Sequence, residues 1–366
     1  MHYWLGLMSG TSMDAVDAAL VSFGEHDLTI KETLSLPYPE QLRQRLLLAT
    51  RNQADADQLG ELDTLTGQHF GTTAAELISR SGISKDQIAA IGSHGQTIRH
   101  QPGGPAPFSM QIGNAACISE TTGLTTVADF RSRDLAAGGQ GAPLVPAFHQ
   151  WLFGSDQQDR CILNLGGIAN ITWLPAAGRK PVIGFDTGPA NALLDAWCLD
   201  QTGRHFDENG HLASEGAVHT ELLASMVSDG YFSKAPPKST GKERFNLDWI
   251  HTHLQRFPEL PPADVQRTLL QLTLITILRQ MPQESAGMKV YACGGGTFNS
   301  LLMNELRVGL GSVALTTTAD LGLDPQWVEP VAFAWLAKQT VEGLAGNLPE
   351  VTGARGRRVL GAIYPA

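Results

Sequence analysis

Gly6-Leu7-Met8-Ser9-Gly10-Thr11-Ser12-Met13-Asp14 joins two apolar runs, residues 3–8 and 15–23. Short apolar runs on either side of small, turn-forming residues predict a β-hairpin. Such a loop exposes consecutive backbone N–H groups, a concavity suited to an anion, and its hydroxyls add donors. Asp14 at its end could hold the water shell of a metal ion. An ordinary hairpin closed by turn residues is the competing reading. The pattern recurs in Asn164-Leu165-Gly166-Gly167-Ile168-Ala169-Asn170-Ile171-Thr172, inside a second expected hairpin, Cys161 to Trp173. Two adjacent glycines with flanking asparagines exceed what a plain turn needs, since glycine allows close backbone approach. Each half of the chain thus opens with a hairpin of similar design, which implies two related halves.

Around these hairpins, strand-like and helix-like segments alternate, the mark of an α/β architecture. Residues 39–50 and 56–81 are predicted helical, the latter with Leu59, Leu62, Leu65, Phe70, Ala74 and Leu77 at helical spacing. Ile88 to Gly92 reads as a buried strand, and 110–134 as a helix followed by the strand Thr125 to Ala128. In the second half, strands are expected at Val182 to Phe185 and Lys289 to Cys293. The tail Val359 to Tyr364 reads as a strand that returns to the first domain. The glycine-rich passage Ala136 to Pro143 marks the expected boundary. The N-terminal domain is then 1–133, completed by 340–366, and the C-terminal domain is 134–339.

At 366 residues the chain can bury two cores. A net charge of −10 argues against nucleic acid as a partner, because phosphate backbones require a basic surface. Cys117, Cys161, Cys198 and Cys293 are scattered without metal-ligand spacing, as expected of free thiols in a reducing compartment. No basic leader precedes the first strand, so a cytoplasmic location is expected. The most apolar stretch, Leu269 to Leu278, is too short to span a membrane and reads as a buried helix.

Two further passages carry chemistry. Val182 to Phe185 runs into Asp186-Thr187-Gly188-Pro189-Ala190-Asn191, which places a carboxylate at the end of a strand, where open α/β sheets bind ligands. Asp186 there is either a general base or a cap on the helix that follows. In Ala292-Cys293-Gly294-Gly295-Gly296-Thr297 a strand ends in three glycines, a costly choice that would let a flat ring lie against bare backbone. Two passages are set aside. Thr240-Gly241-Lys242 resembles the end of a P-loop, but Pro236 and Glu243 break that pattern. Gly138-Gly139-Gln140-Gly141 lacks the spacing of a dinucleotide fingerprint.

The order hairpin loop, hairpin loop, strand-end Asp, glycine loop resembles the actin/hexokinase/Hsp70 superfamily. That likeness implies a two-domain, ribonuclease H-like fold with its active site in the interdomain cleft. Six blocks look like the anhydro-N-acetylmuramic acid kinases: residues 6–14, Ser93-His94-Gly95-Gln96-Thr97, Asp129-Phe130-Arg131, residues 164–170, Phe185-Asp186-Thr187-Gly188-Pro189 and Pro236-Pro237-Lys238-Ser239-Thr240-Gly241. The resemblance implies ATP and Mg²⁺ as cofactors, a sugar substrate and a homodimer. Carried over residue by residue, it implies ATP contacts at Ser9, Gly10, Thr11, Ser12, Met13, Asp14, Gly166, Gly167, Asn170, Gly294, Gly295 and Gly296. Sugar contacts would come from His94, Gln96, Arg131 and Asp186. Asp186 would be the catalytic base, with Glu329, beside Pro330 at a helix start, orienting the attacking water. For Arg131 an ion pair with Asp129 or Asp134 is the alternative, for His94 a packed core position, and for Glu329 a solvent-exposed first helical turn. Lys238 and Ser239 match the family block without a role that can be deduced. Another small-molecule kinase on the same fold is the main rival reading.

Overall fold

The computed structural model describes residues 2–176, 180–282 and 287–366. The strands run, in chain order, β1 (Tyr3–Met8), β2 (Ala15–Phe23), β3 (Leu28–Pro37), β4 (Ile88–Ser93), β5 (Gln96–Gln101), β6 (Phe108–Ile112), β7 (Thr126–Ala128), β8 (Arg160–Leu165), β9 (Ile168–Leu174), β10 (Ile183–Pro189), β11 (Lys289–Cys293), β12 (Ala314–Thr317) and β13 (Ala362–Tyr364). They belong to two compact units, residues 1–152 with 327–366, and residues 153–326.

In the first unit the sheet order is β13-β7-β4-β1-β2-β3, with β1, β2 and β3 antiparallel and β4 and β7 parallel to β1. The second unit repeats it as β10-β9-β8-β11-β12, again three antiparallel strands followed by two parallel ones. Counted from each hairpin, both sheets read third, second, first, fourth, fifth. This is the duplicated ribonuclease H-like arrangement of the actin/hexokinase fold.

Local sequence explains the framework of the first unit. Helix Ala56–Ser81 starts at a capping box, where Asp55 accepts from Gln58 N and Gln58 Oε1 accepts from Asp55 N, and ends at Gly82 with φ +67°. Leu62, Phe70, Ala74 and Leu77 enter the core, whereas Leu65 stays exposed. Helix Val328–Val341 lies against β1 and β4 so closely that a Cβ on Gly6 would stand 1.8 Å from Pro330 O, and one on Gly92 2.1 Å from Phe333 O. Glycine is required at both positions.

The domain boundaries differ from those expected. Residues 134–152 and 327–339 belong to the first unit: the helix Val328–Val341 packs on β1 and β4, and the passage from residue 134 is tied back by a buried knot around Asp134. Its Oδ2 accepts from Gly141 N at 2.8 Å, and its Oδ1 accepts from Asn347 Nδ2 at 2.7 Å and Thr352 Oγ1 at 2.8 Å. The glycine-rich passage expected to mark the boundary is therefore fastened to the C-terminal segment. The tail strand β13 pairs antiparallel with β7.

In the second unit, helix Pro262–Leu278 is buried nearly all round. The threonines that interrupt its apolar run have structural work: Thr273 Oγ1 donates to Pro189 O at 3.1 Å and so fixes the end of β10. Among the described residues no helix is long and apolar enough to cross a membrane.

Candidate active site

The first unit presents the Ser9–Asp14 loop between β1 and β2. Met13, in the left-handed region at φ +57°, donates its N–H to Gly10 O at 3.3 Å and buries its side chain. Gly10, Thr11 and Ser12 remain partly exposed. Beneath them lies Gln96, fully buried. Its Oε1 accepts from Ser9 Oγ at 2.7 Å and from Tyr38 Oη at 3.4 Å, while Nε2 donates to Gly10 O at 3.4 Å. Gln96 was expected to touch sugar; the structure shows it holding the loop from below. Asp14 is exposed and ion-paired with Arg43 at 3.2 Å.

His94 and Arg131, 37 residues apart, are brought together at 2.8 Å between Nε2 and Nη2. The Gly95 carbonyl 2.9 Å from Nδ1 can only accept, which puts the ring proton on Nδ1 and leaves Nε2 to accept from arginine. Burial first, then the neighbouring Arg131 charge, hold His94 well below the usual histidine range, so the ring is neutral. Its face rests on Phe333, with centroids 4.7 Å apart. Arg131 also donates to Gly141 O at 2.7 Å. Asp134 is spent on the knot described above, and Asp129 accepts from Ser132 Oγ at 2.5 Å. Glu329 is half-buried in the first turn of the helix that Gly6 pins to β1.

The second unit assembles its candidates along one row of the sheet. Asp186 pairs with Asn170 on β9, Asn170 with Asn164 on β8, and Asn164 with Cys293 on β11. Register partners project to the same face of a sheet, so polar side chains from separate segments are aligned. Contrary to expectation, Asp186 does not end its strand. β10 continues to Pro189 through an irregularity after Asp186, and helix Asn191–Thr202 starts beyond it.

Asp186 is 7% exposed and held from several sides. Thr240 N donates to Oδ2 at 2.9 Å, Tyr231 Oη donates to the Asp186 carbonyl at 2.8 Å, and Asp186 N donates to Lys238 O at 3.3 Å. The Pro236–Gly241 block, whose role could not be read from the sequence, is therefore the cradle of this carboxylate. The Gly166-Gly167 turn is fastened by backbone. Gly167 O accepts from Ala190 N and Ala192 N, each at 3.0 Å, and Gly166 O from Asn191 N at 3.1 Å.

The three glycines after β11 differ among themselves. A Cβ on Gly294 would stand 2.4 Å from Asn164 Oδ1, and one on Gly296 2.6 Å from Leu165 Cβ. Those two are demanded by packing against the first hairpin of the unit. Only Gly295 opens outward, with nothing within 4 Å.

Within the second unit, a buried carboxylate clamped by backbone, a Gly-Gly hairpin turn and an open glycine turn suit phosphoryl-transfer chemistry. The family model for anhydro-N-acetylmuramic acid kinase matches residues 2–366. The chain belongs to the anhydro-N-acetylmuramic acid kinase family. Among curated proteins, the anhydro-N-acetylmuramic acid kinase of Xylella fastidiosa is 50% identical over 99% of this chain and 96% of its own length. That of Coxiella burnetii is 47% identical over 99% and 97%. That of Shewanella sediminis is 47% identical over 100% and 99%. Membership in this family makes the chain a kinase that takes its phosphoryl group from ATP.

For a kinase of this family, two groups escaped sequence reasoning. Tyr231 and Thr240 both grip Asp186, yet an isolated tyrosine and a backbone N–H carry no signal in a sequence.

Proposed function

We propose that this kinase opens 1,6-anhydro-N-acetylmuramic acid with water and phosphorylates O6, giving N-acetylmuramic acid 6-phosphate and ADP in cytoplasmic recycling of peptidoglycan. Asp186 takes a proton from water as that water attacks C1. The C1–O6 bond breaks, and O6 bonds to the γ-phosphorus of ATP as ADP leaves. No separate acid is needed for O6, because phosphorus receives the electron pair.

The observation that carries this reading is the Asp186 carboxylate, buried and oriented by Thr240 N–H at 2.9 Å. A base must be aimed at one atom before its proton transfer is effective. Glu329 is assigned the orientation of the attacking water. His94 and Arg131, already bonded to each other, are assigned sugar contacts as a single unit, with Arg131 able to meet a carboxylate or phosphate through its planar fork. Residues 9–14, the Gly166-Gly167 turn with Asn170, and Gly294–Gly296 are assigned to ATP.

Mg²⁺ would neutralise charge on the phosphates. Among the described residues no group of three or more His, Cys, Asp or Glu could hold a metal. This suits an ion that usually keeps its waters and needs only one or two carboxylates besides phosphate oxygens. Exposed Asp14 meets that requirement through water. The decisive experiment is mass spectrometry of product made in ¹⁸O-water under conditions that limit anomeric exchange. Label at the anomeric oxygen of a 6-phosphorylated sugar is expected. An unlabelled anomeric oxygen, or equal activity on a sugar lacking the anhydro bridge, defeats the assignment.

A further inference from the structure

Lys238 is a buried cation that the family resemblance leaves without a role. The residue is 5% exposed, and its Nζ finds no hydrogen-bond acceptor among the described residues. Buried ammonium groups are normally satisfied by oxygen. Here the nitrogen instead lies 4.8 Å from the centroid of the Tyr231 ring and 5.6 Å from that of Phe185. Aromatic faces attract a cation without bonding it to an acceptor.

The same residues hold Asp186. Phe185 precedes it on β10, Tyr231 Oη donates to its carbonyl, the Lys238 carbonyl accepts its N–H, and Thr240 N donates to its carboxylate. A lysine bonded directly to that carboxylate would compete with water for its lone pairs. Caged on ring faces, the ammonium stabilises negative charge on Asp186 through space and leaves its basicity usable.

We propose that Lys238 is a positioning residue for Asp186: its caged ammonium is the fixed positive charge that keeps the carboxylate ionised and ready to accept a proton. The inference rests on the reading of Asp186 as the base. The Lys238 amine is lowered to about 8, by burial first, against the upward pull of the Asp186 charge and with a smaller downward push from Lys234. The other charged groups about the cage are Glu243, which acts on Tyr231, and Arg244, whose guanidinium is 5.9 Å from the Tyr231 ring and bonds Asp229 at 2.5 Å. An amine with a lowered value is charged below it and neutral above it, so below about 8 the ammonium keeps Asp186 ionised down to a lower pH than a neutral side chain would.

The test is kcat and KM against pH for the whole enzyme and for Lys238→Met, Lys238→Arg and Asp186→Asn, with thermal unfolding of each. The unaltered enzyme should keep its turnover down to an acid limb set by protonation of Asp186. Lys238→Met should lower kcat about 10- to 100-fold at neutral pH, part of what a general base supplies, and move the acid limb to higher pH. Its KM for sugar should stay within about threefold, as expected when only transition-state stabilisation is lost. Lys238→Arg cannot lose its charge; it should keep most of the turnover and leave the acid limb where the unaltered enzyme has it. Undiminished kcat in Lys238→Met overturns the proposal. So does a Lys238→Met enzyme whose acid limb does not move, or a Lys238→Arg enzyme as impaired as the methionine variant. Should Lys238→Met fail to fold, the arginine variant decides alone. If Asp186→Asn turns over normally, the base assignment falls and takes this inference with it. If Asp186→Asn is inactive while both lysine variants behave as unaltered enzyme, only the lysine inference falls.

Discussion

Asp14 lies in the loop between the first two strands of its sheet and Asp186 on the third antiparallel strand of the other, and their surroundings are opposite. The Asp14 side chain is 54% exposed and shares an ion pair with Arg43. Asp186 is buried, clamped by a backbone N–H and tied through its own main chain to Tyr231 and Lys238. An exposed carboxylate can meet a hydrated ion at little cost in desolvation. A carboxylate that must take one proton from one water gains from a fixed direction and a dry setting. The loops themselves differ in the same sense. The first is held by a buried side chain, Gln96, and the second by backbone carbonyls of Gly166 and Gly167.

The contrast breaks if the two carboxylates prove interchangeable. Asp186→Asn should reduce kcat by about 10²–10⁴-fold, the usual worth of general base assistance, with nucleotide affinity nearly unchanged by titration calorimetry. Asp14→Asn should leave stability within about 1 kcal/mol, since exposed ion pairs contribute little, and should chiefly weaken the Mg²⁺ dependence of nucleotide binding. Equal losses of kcat in both variants would erase the distinction.

A smaller effect separates the glycines after β11. Gly294→Ala places a Cβ 2.4 Å from Asn164 Oδ1 on backbone at φ +82°. It should cost about 2–4 kcal/mol in urea unfolding, as overpacking and backbone strain do. Gly295→Ala meets nothing within 4 Å and should leave stability within about 0.5 kcal/mol. Any loss in that variant should appear in ATP affinity instead. A stable Gly294→Ala protein would show that the hairpin can yield.

A last effect distinguishes the units by acid. His94, His100 and His149, all in the first unit, are held below the usual histidine range chiefly by burial, the last two to about 3. The unfolded chain binds protons that these folded histidines refuse. Stability is therefore fully present above pH ~6.5 and falls as pH drops below it, by about 1.4 kcal/mol per unit for each such group. The second unit has His253 lowered in the same direction, and it is less deeply buried. Hydrogen exchange at pH 5.5 should show the first unit opening more readily than the second. Uniform protection across both would contradict this.

Much of the fold was legible because hairpins, capping boxes and buried strands are written in short-range patterns. The unread elements were of another kind. β3 is a half-exposed edge strand with Lys31, Glu32 and Thr33 in it, and β12 is an edge strand without a fully buried residue. Neither carries the apolar run that announces a central strand. The domain boundary was misplaced because a glycine-rich passage reads as a join between domains wherever it stands. Only the Asp134 knot, joining residues 218 apart, shows that this passage is fixed.

By itself the sequence determined the two hairpins, the glycine turns, the family and the list of polar residues from which a site must be built. Turn chemistry and strand alternation act over a few residues, so they survive without tertiary context. Only the folded structure decided what those residues do to one another. It placed Gln96 under the loop rather than on its surface, drew Thr240 across 54 positions onto Asp186, and left Lys238 among aromatic rings beside it. Such partners are chosen by packing, and a contact between distant segments leaves no local trace in either of them.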